Sequence, residues 1–141
     1  FNYERYMMGA QMLGMSQRCF EECVSYAKER NTFGKALIEH QVIRHKLADM
    51  SAKIDAMDAY LNQVAELMNK GEKPVAEISK IKFYCSECLE SIASEAMQIL
   101  GGAGYLRGNP VERIYREVKV MAIGGGSKEI MKDLTVKQMG L

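Results

Sequence analysis

The sequence has no tryptophan, only two prolines and a net charge of only +1 over 141 residues. Such a balanced charge gives no broad electrostatic attraction to nucleic acid or to a membrane surface. No apolar run approaches the roughly 18–20 residues that a membrane-spanning helix needs, and no signal peptide is recognisable. We therefore expect a protein with no nucleic-acid partner, no membrane partner and no secretion.

Patterns typical of β structure are also missing. No run alternates apolar and polar residues, and no Asn-Gly pair marks a hairpin turn. Apolar residues instead recur at three-to-four spacing, which predicts helices over residues 2–29, 39–70, 75–100 and 111–120, and a last one from Ser127 to about Met139. We predict an all-α fold, an antiparallel four-helix bundle that forms one domain over residues 1–141.

The four cysteines form two close pairs, Cys19 with Cys23 and Cys85 with Cys88. Their Cys-x3-Cys and Cys-x2-Cys spacings admit a zinc site. Both pairs lie inside predicted helices and lack the glycine-rich turns usual around zinc ligands, which favours buried, reduced thiols. We expect no metal site and no disulfide, and a four-cysteine metal-binding bundle remains an alternative.

The connection between the first two predicted helices carries unusual chemistry. It combines a guanidinium (Arg30), a hydroxyl (Thr32), an aromatic ring (Phe33), a glycine (Gly34) and an amide (Gln41). Gly34 can take the positive φ that ends a helix or closes a turn. A linker that only connects would rarely need all five groups, which indicates a binding function.

Further short motifs follow this connection in a characteristic order and spacing. Together they read Arg30-x-Thr32-Phe33-Gly34-Lys35, His40-Gln41, Leu47-Ala48-Asp49-Met50, Gln98-x-x-Gly101-Gly102-x-Gly104-Tyr105, Tyr115-Arg116-Glu117-x-Lys119 and Ser127-x-Glu129-Ile130. With them the chain resembles, over essentially its whole length, the C-terminal helical domain of the acyl-CoA dehydrogenase family. The resemblance implies a flavoenzyme that uses FAD to oxidise an acyl-CoA to a trans-2-enoyl-CoA. In that reaction a carboxylate removes an α-proton while a hydride leaves the β-carbon for flavin N5, and an electron-transfer flavoprotein accepts the electrons.

Members of this family combine an N-terminal helical domain, a middle β domain and a C-terminal bundle. The resemblance therefore implies that residues 1–141 form the third domain of a longer enzyme and are inactive in isolation. It also implies a homodimer or homotetramer, in the cytoplasm of a bacterium or the mitochondrial matrix of a eukaryote. A non-catalytic helical oligomerisation module remains the competing interpretation.

The resemblance assigns a set of residues to FAD. Arg30 matches the position that binds the FAD pyrophosphate of a neighbouring subunit, a role that suits a planar, bidentate guanidinium. The other implied FAD residues are Thr32, Phe33, Gln41, Gln98, Gly101, Gly102, Ser127 and Glu129. Simpler interpretations exist: Arg30 as a solvated helix end, Phe33 as a loop anchor into the core, and Gly101-Gly102 as an ordinary helix stop.

The resemblance also assigns the catalytic base. Many family members carry it as Glu in a Tyr-Glu-Gly-Thr loop, where this sequence has Gly124-Gly125-Gly126-Ser127. Gly125 has no side chain to act with, but Glu4 matches the position at which isovaleryl- and long-chain-type members carry the base. A carboxylate suits this role because it can accept a proton while the acyl chain excludes water around it. Without the resemblance, Glu4 would be an exposed carboxylate favoured by the helix dipole.

Four residues are implied to meet the acyl-CoA substrate: Phe1, Arg5, Gly125 and Gly126. Phe1 and Arg5 match positions along the acyl-CoA path. The Gly125 N–H would bind the thioester carbonyl and stabilise the enolate as charge develops on it. Glycines in place of Tyr and Glu leave room near the reacting carbons, which favours a branched or bulky acyl group.

Overall fold

The structure, a computed structural model, describes residues 1–141. Its helices are α1 (Asn2–Glu29), α2 (Gln41–Asn69), α3 (Val75–Leu100), α4 (Gly102–Tyr105), α5 (Pro110–Ile123) and α6 (Lys128–Gln138). A two-stranded hairpin, β1 (Asn31–Thr32) and β2 (Lys35–Ala36), and a 3-10 turn (Leu37–Glu39) connect α1 to α2. None of the helices combines the length and apolar character needed to cross a membrane.

Contacts between the helices fix their directions. Gly9 near the start of α1 lies against Leu61 near the end of α2 and Ile81 near the start of α3, so a Cβ at Gly9 would be 2.5 Å from Ile81 Cγ2. Helix α2 therefore runs antiparallel to both α1 and α3. Helix α5 runs back along α3, and with α6 it fills the fourth side. The predicted all-α, antiparallel four-helix bundle is confirmed.

Helix α3 is the centre of the bundle, because α1, α2, α5 and α6 all pack on it. Its buried side chains run along its whole length, from Ile78 to Leu100. Methionines from the other helices complete the core: Met12, Met50, Met57 and Met131 are all at most 1% exposed. The unbranched Met side chain adapts to irregular gaps of this kind, which helps the core form without tryptophan.

All four cysteines are buried free thiols on α1 and α3, so the interpretation as buried thiols is confirmed. Burial raises the pKa of Cys19, Cys23 and Cys85 to about 12, which keeps these thiols protonated and unreactive at neutral pH. No three His, Cys, Asp or Glu side chains come together as metal ligands would. The cysteines therefore serve as small core side chains.

The expectation that the chain has no β structure is wrong at one place. Strands β1 and β2 pair antiparallel around a turn in which Phe33 and Gly34 have φ values of 52° and 81°. Positive φ at both central residues is the type I′ geometry that matches the twist of paired strands. Strands of two residues are too short to show an alternating pattern, and Phe33 occupies the turn position at which Asn is the usual hairpin signal.

The helix boundaries differ from the prediction in smaller ways. Helix α2 begins at Gln41 rather than at Glu39, because Leu37–Glu39 forms a separate 3-10 turn. Helix α5 is longer than predicted at both ends, and the short α4 interrupts the predicted glycine loop. Ser127 caps α6 as predicted, since its Oγ accepts the N–H of Ile130 at 3.4 Å.

Glu90 on α3 holds the two C-terminal helices to the core. It accepts hydrogen bonds from Lys119 on α5 and, at 2.7 Å, from Lys128 on α6. These donors hold the pKa of the Glu90 carboxyl below its usual value of 4.5. We expect Glu90→Gln to lower the free energy of unfolding by about 1 kcal/mol. Glu21→Gln, at an exposed carboxylate of α1, is the control and should change it little.

Urea unfolding at two pH values tests this expectation. Because the folded-state pKa of Glu90 is depressed, its contribution is complete above the unfolded pKa near 4.5. The contribution is lost as the pH falls through the folded value. The stability difference between wild type and Glu90→Gln should therefore be present at neutral pH and shrink in acid. Equal stability at neutral pH would show that the two ion pairs contribute nothing.

Candidate functional site

The predicted site residues lie at two opposite ends of the bundle. One, which we name the glycine-loop end, holds Phe1, Glu4, Arg5, Gly125, Gly126, Ser127 and Glu129. The other, the hairpin end, holds Arg30, Thr32, Phe33, Gln41, Gln98, Gly101 and Gly102. Helix α1 connects the two ends, and its 28 residues span about 42 Å at 1.5 Å per residue. The predicted site residues therefore lie in two separate places in one chain rather than in one.

At the glycine-loop end, residues 124–127 connect α5 to α6 in a conformation that requires glycine. Gly125 and Gly126 have φ values of 72° and 123°, which side-chain-bearing residues rarely adopt. A Cβ at Gly125 would lie 2.8 Å from Met8 Sδ, and one at Gly126 would lie 2.6 Å from Met131 Cε. A side chain at position 125 would therefore need a strained backbone and a shift of the flexible Met8 side chain.

Two cations hold this loop by its carbonyl groups. Arg5 Nε donates to Gly125 O at 2.8 Å. Lys82 Nζ, from α3, donates to Ala122 O at 3.0 Å and to Gly126 O at 2.6 Å. Lys82 is fully buried, and burial, followed by the nearby Arg5 charge, lowers its pKa. A contact of Arg5 with the substrate remains a prediction. The structure shows a different contact for Arg5, its hydrogen bond to Gly125 O.

Lys82 is not among the site residues that the sequence predicts. Its one signal in the sequence is a lone lysine between Ile78, Ile81 and Cys85 on the apolar stripe of α3. A long cationic side chain in such a place usually reaches water with its end group. Here the ammonium contacts backbone carbonyls of the loop instead. This contact exists because α5 runs back along α3 and places the loop beside Lys82.

The Gly125 N–H donates to no group of the chain. Its neighbours are paired, since the N–H of Gly124 binds Val120 O at 2.7 Å and that of Gly126 binds Ile123 O at 3.2 Å. Gly125 is exposed. The Gly125 N–H is therefore a free backbone donor at the surface, of the kind that can bind a carbonyl or oxyanion.

Glu4 lies in the first turn of α1, one residue before the Arg5 that binds the loop. Its carboxylate is 73% exposed. The Arg5 guanidinium also lies 6.0 Å from the centre of the Phe1 ring. The glycine-loop end therefore combines an accessible carboxylate, a free N–H donor and an exposed aromatic ring.

At the hairpin end, Phe33 is 99% exposed, so the interpretation of Phe33 as a core anchor is wrong. Its backbone has a positive φ, and its ring lies edge-on to that of His40 at 6.3 Å between centroids. His40 Nε2 also lies 3.0 Å from Thr32 Oγ1 and 3.1 Å from Thr32 O. His40 thereby fastens the hairpin to the start of α2.

The remaining hairpin-end groups fit an anionic dinucleotide. The Arg30 guanidinium is exposed and makes no ion pair or hydrogen bond within the chain. Gln41 and Gln98 are exposed at the start of α2 and the end of α3. Gly101, with φ of 55°, has open space where a Cβ would stand. A free cation, two amides and bare backbone are suitable donors for phosphate and adenosine groups.

Neither end is an enclosed pocket in this chain. The largest cavity, about 590 Å³, is lined by residues of α3, α4 and α5: Met97, Tyr105, Leu106, Arg107, Glu112, Tyr115 and Arg116. None of the predicted site residues lines this cavity or the three smaller ones. The two sites are open surfaces, as expected of sites that other domains or other chains complete.

Residues 1–140 match the family model for the acyl-CoA dehydrogenase C-terminal domain. The chain is 35% identical to cyclohexane-1-carbonyl-CoA dehydrogenase of Syntrophus aciditrophicus over 99% of this chain and 36% of that protein. It is 32% identical to the bovine mitochondrial short/branched chain specific acyl-CoA dehydrogenase, over 96% and 32%. The structure of butyryl-CoA dehydrogenase from Megasphaera elsdenii superposes with a TM-score of 0.95 at 31% identity, over 99% and 37%. The chain thus spans about a third of the length of these relatives, and it belongs to the C-terminal domain family of the acyl-CoA dehydrogenases.

Proposed function

We propose that residues 1–141 form the C-terminal domain of a three-domain FAD enzyme that oxidises an acyl-CoA to a trans-2-enoyl-CoA. The observation that carries this proposal is the glycine-loop end. There the Gly125 N–H is unpaired at the surface, and the first turn of α1, which holds Glu4, is joined to the same loop by the Arg5–Gly125 hydrogen bond.

Each group at the glycine-loop end has a role in this reaction. Glu4 accepts the α-proton of the acyl-CoA. The Gly125 N–H binds the thioester carbonyl and stabilises the negative charge that develops on its oxygen when the proton leaves. The exposed Phe1 ring lies along the acyl-CoA path. FAD, when bound, accepts the hydride from the β-carbon, and Ser127 and Glu129 lie at the same end, where the flavin ring would be held.

The hairpin end serves a different part of the cofactor. Arg30, Thr32, Phe33 and Gln41 would hold the pyrophosphate region, and the α3 terminus at Gly101 would lie against adenosine. Since the two ends are about 42 Å apart along α1, farther than an extended FAD reaches, they serve two different FAD molecules. We therefore propose a homo-oligomer, a dimer or tetramer, in which the hairpin end of one chain completes the FAD site of its neighbour.

The substrate class follows from the loop and from the relatives. Because Gly124 and Gly125 carry no side chains, the space near the reacting carbons is wider than with Tyr and Glu. Two relatives are named for a cyclic and for a short or branched acyl group. We propose a branched or ring-bearing acyl-CoA as substrate and an electron-transfer flavoprotein as the acceptor of the electrons.

Flavin content and anaerobic bleaching test this proposal. The full-length protein should purify yellow with stoichiometric FAD, and a branched or cyclic acyl-CoA should bleach the flavin in the absence of oxygen. Residues 1–141 alone should retain no FAD, because neither end holds more than part of the cofactor. A full-length protein without flavin, or one that no acyl-CoA bleaches, would contradict the proposed reaction. A yellow 1–141 domain would contradict the division of the site.

A further inference from the structure

Three carbonyl groups in and next to the glycine loop point at cations from other helices. Those of Ala122 and Gly126 accept from Lys82 on α3 at 3.0 and 2.6 Å, and that of Gly125 accepts from Arg5 on α1 at 2.8 Å. The peptide group that carries the free Gly125 N–H lies between the Ala122 carbonyl and the other two. The cations therefore hold the backbone on both sides of the unpaired Gly125 N–H.

A lysine is an energetically unfavourable residue at this core position. Its side chain is fully buried, and its ammonium has no carboxylate partner; both of its hydrogen bonds go to backbone oxygens. Burial of a charge without an opposite charge is strongly unfavourable unless hydrogen bonds compensate for it. An apolar side chain would pack here without that cost, so packing alone does not account for a lysine.

Backbone bonds from Gly124 and Gly126 to α5 restrict the loop only in part. Gly124, Gly125 and Gly126 have no side chains that could pack or bond, and glycine reaches more backbone conformations than any other residue. The direction of the Gly125 N–H therefore depends on groups outside the loop. Lys82 supplies one of the two hydrogen bonds that other helices make to loop carbonyls, at Gly126, and it adds a bond to Ala122 O at the adjoining end of α5.

We propose that Lys82 is a positioning residue, whose buried ammonium holds the glycine loop so that the Gly125 N–H points at the carbonyl of the bound thioester. This inference rests on the proposed function of the glycine-loop end. Lys82 itself touches neither substrate nor flavin. It acts through the loop backbone. Its loss should therefore weaken the binding of ligands that have a carbonyl at the thioester position and leave the binding of ligands without one unchanged.

Lys82→Met in the full-length flavoprotein tests the proposal, because Met fills a similar volume without an ammonium. The matched control is Lys80→Met, the same change on a half-buried lysine of α3 that has no partner in the chain. Two ligands of equal chain length are compared: the enoyl-CoA product and an S-alkyl-CoA thioether with CH2 in place of the thioester carbonyl. Stopped-flow flavin reduction at saturating acyl-CoA gives the rate.

Lys82→Met should reduce flavin about 10- to 100-fold more slowly, since displacing a reacting group by about 1 Å costs on the order of 10²-fold. It should bind the enoyl-CoA about 10-fold more weakly and the thioether as tightly as wild type does. Lys80→Met should match wild type in all three measurements. A wild-type reduction rate, or an equal loss of affinity for both ligands, would overturn the proposal and leave Lys82 a stabilising residue only.

A second variant covers the case in which Lys82→Met fails to hold flavin. Lys82→Gln removes the charge but keeps an N–H donor for one of the two carbonyls, and it should show the same selective loss to a smaller degree. If Lys82→Gln reduces flavin at the wild-type rate, the proposal is wrong. Failure of the proposed function is separate and visible earlier, as a wild-type protein that no acyl-CoA bleaches.

Discussion

Glu4→Gln should slow the anaerobic reduction of the bound flavin by acyl-CoA by about 10²–10⁴-fold, the usual contribution of a positioned general base. Gln has nearly the shape of Glu, so FAD content and acyl-CoA affinity should change little. What the variant loses is the only proton acceptor in the first turn of α1. Because Glu4 is 73% exposed in this chain, the change should not disturb the bundle.

The control for this experiment is Glu21→Gln, at an exposed carboxylate further along α1, which should reduce flavin at the wild-type rate. Stopped-flow absorbance of the flavin, recorded with saturating acyl-CoA, gives the rate for each protein. If Glu4→Gln also reduces flavin at the wild-type rate, Glu4 is only a first-turn surface carboxylate. The base would then come from another domain, or the reaction would be a different one.

The same base can be moved to the loop, where many family members have it. Glu4→Gly combined with Gly125→Glu should restore part of the lost rate. The structure explains why recovery would be incomplete: Gly125 has a φ of 72°, and a Cβ there lies 2.8 Å from Met8 Sδ. Adding Met8→Ala should raise the recovered rate, because it removes the atom that the new side chain would displace.

The helices were predictable because the sequence signals that define them lie within a few residues of one another. Apolar spacing over long segments defines α1, α2 and α3, and Ser127 is a cap whose partner lies three residues away at Ile130. The hairpin was missed for the opposite reason, since its strands are too short to show a period. Its turn depends on a positive φ at Phe33, which an aromatic residue rarely adopts.

The arrangement of the site was less predictable, because it depends on helix directions. The resemblance assigns the motifs around Arg30 and around Gly125 to one flavin site, and nothing local in the sequence shows that they lie at opposite ends of the chain. Lys82 was missed for a similar reason. Its partners at Ala122 and Gly126 are far away in sequence and are backbone oxygens, which no residue pattern reveals.

The division of the site between two ends leads to the second large effect. Arg30→Glu places a carboxylate where the pyrophosphate would bind, so this variant should lose FAD and activity. Glu4→Gln should be nearly inactive for a different reason. In an oligomer that joins the glycine-loop end of one chain to the hairpin end of the next, the two inactive variants can complement each other.

Co-expression of differently tagged chains, followed by purification on both tags, isolates the mixed pair. One chain then supplies an intact Glu4 and its partner an intact Arg30, so one site in each mixed pair is complete. Its flavin should be reduced by acyl-CoA at the wild-type rate, with about half the wild-type amplitude for a pair of two sites. Each variant alone should remain inactive under the same conditions.

The most direct measurement compares this mixed pair with one that carries the same two substitutions in a single chain beside a wild-type partner. If each FAD site is built from two chains, the pair with Glu4→Gln and Arg30→Glu in one chain has no complete site, and acyl-CoA should fail to bleach it rapidly despite its wild-type chain. The pair with the substitutions in separate chains should be bleached rapidly. The reverse result, with activity only when both substitutions are in one chain, would show that a single chain holds the whole site and would contradict the two-ended arrangement.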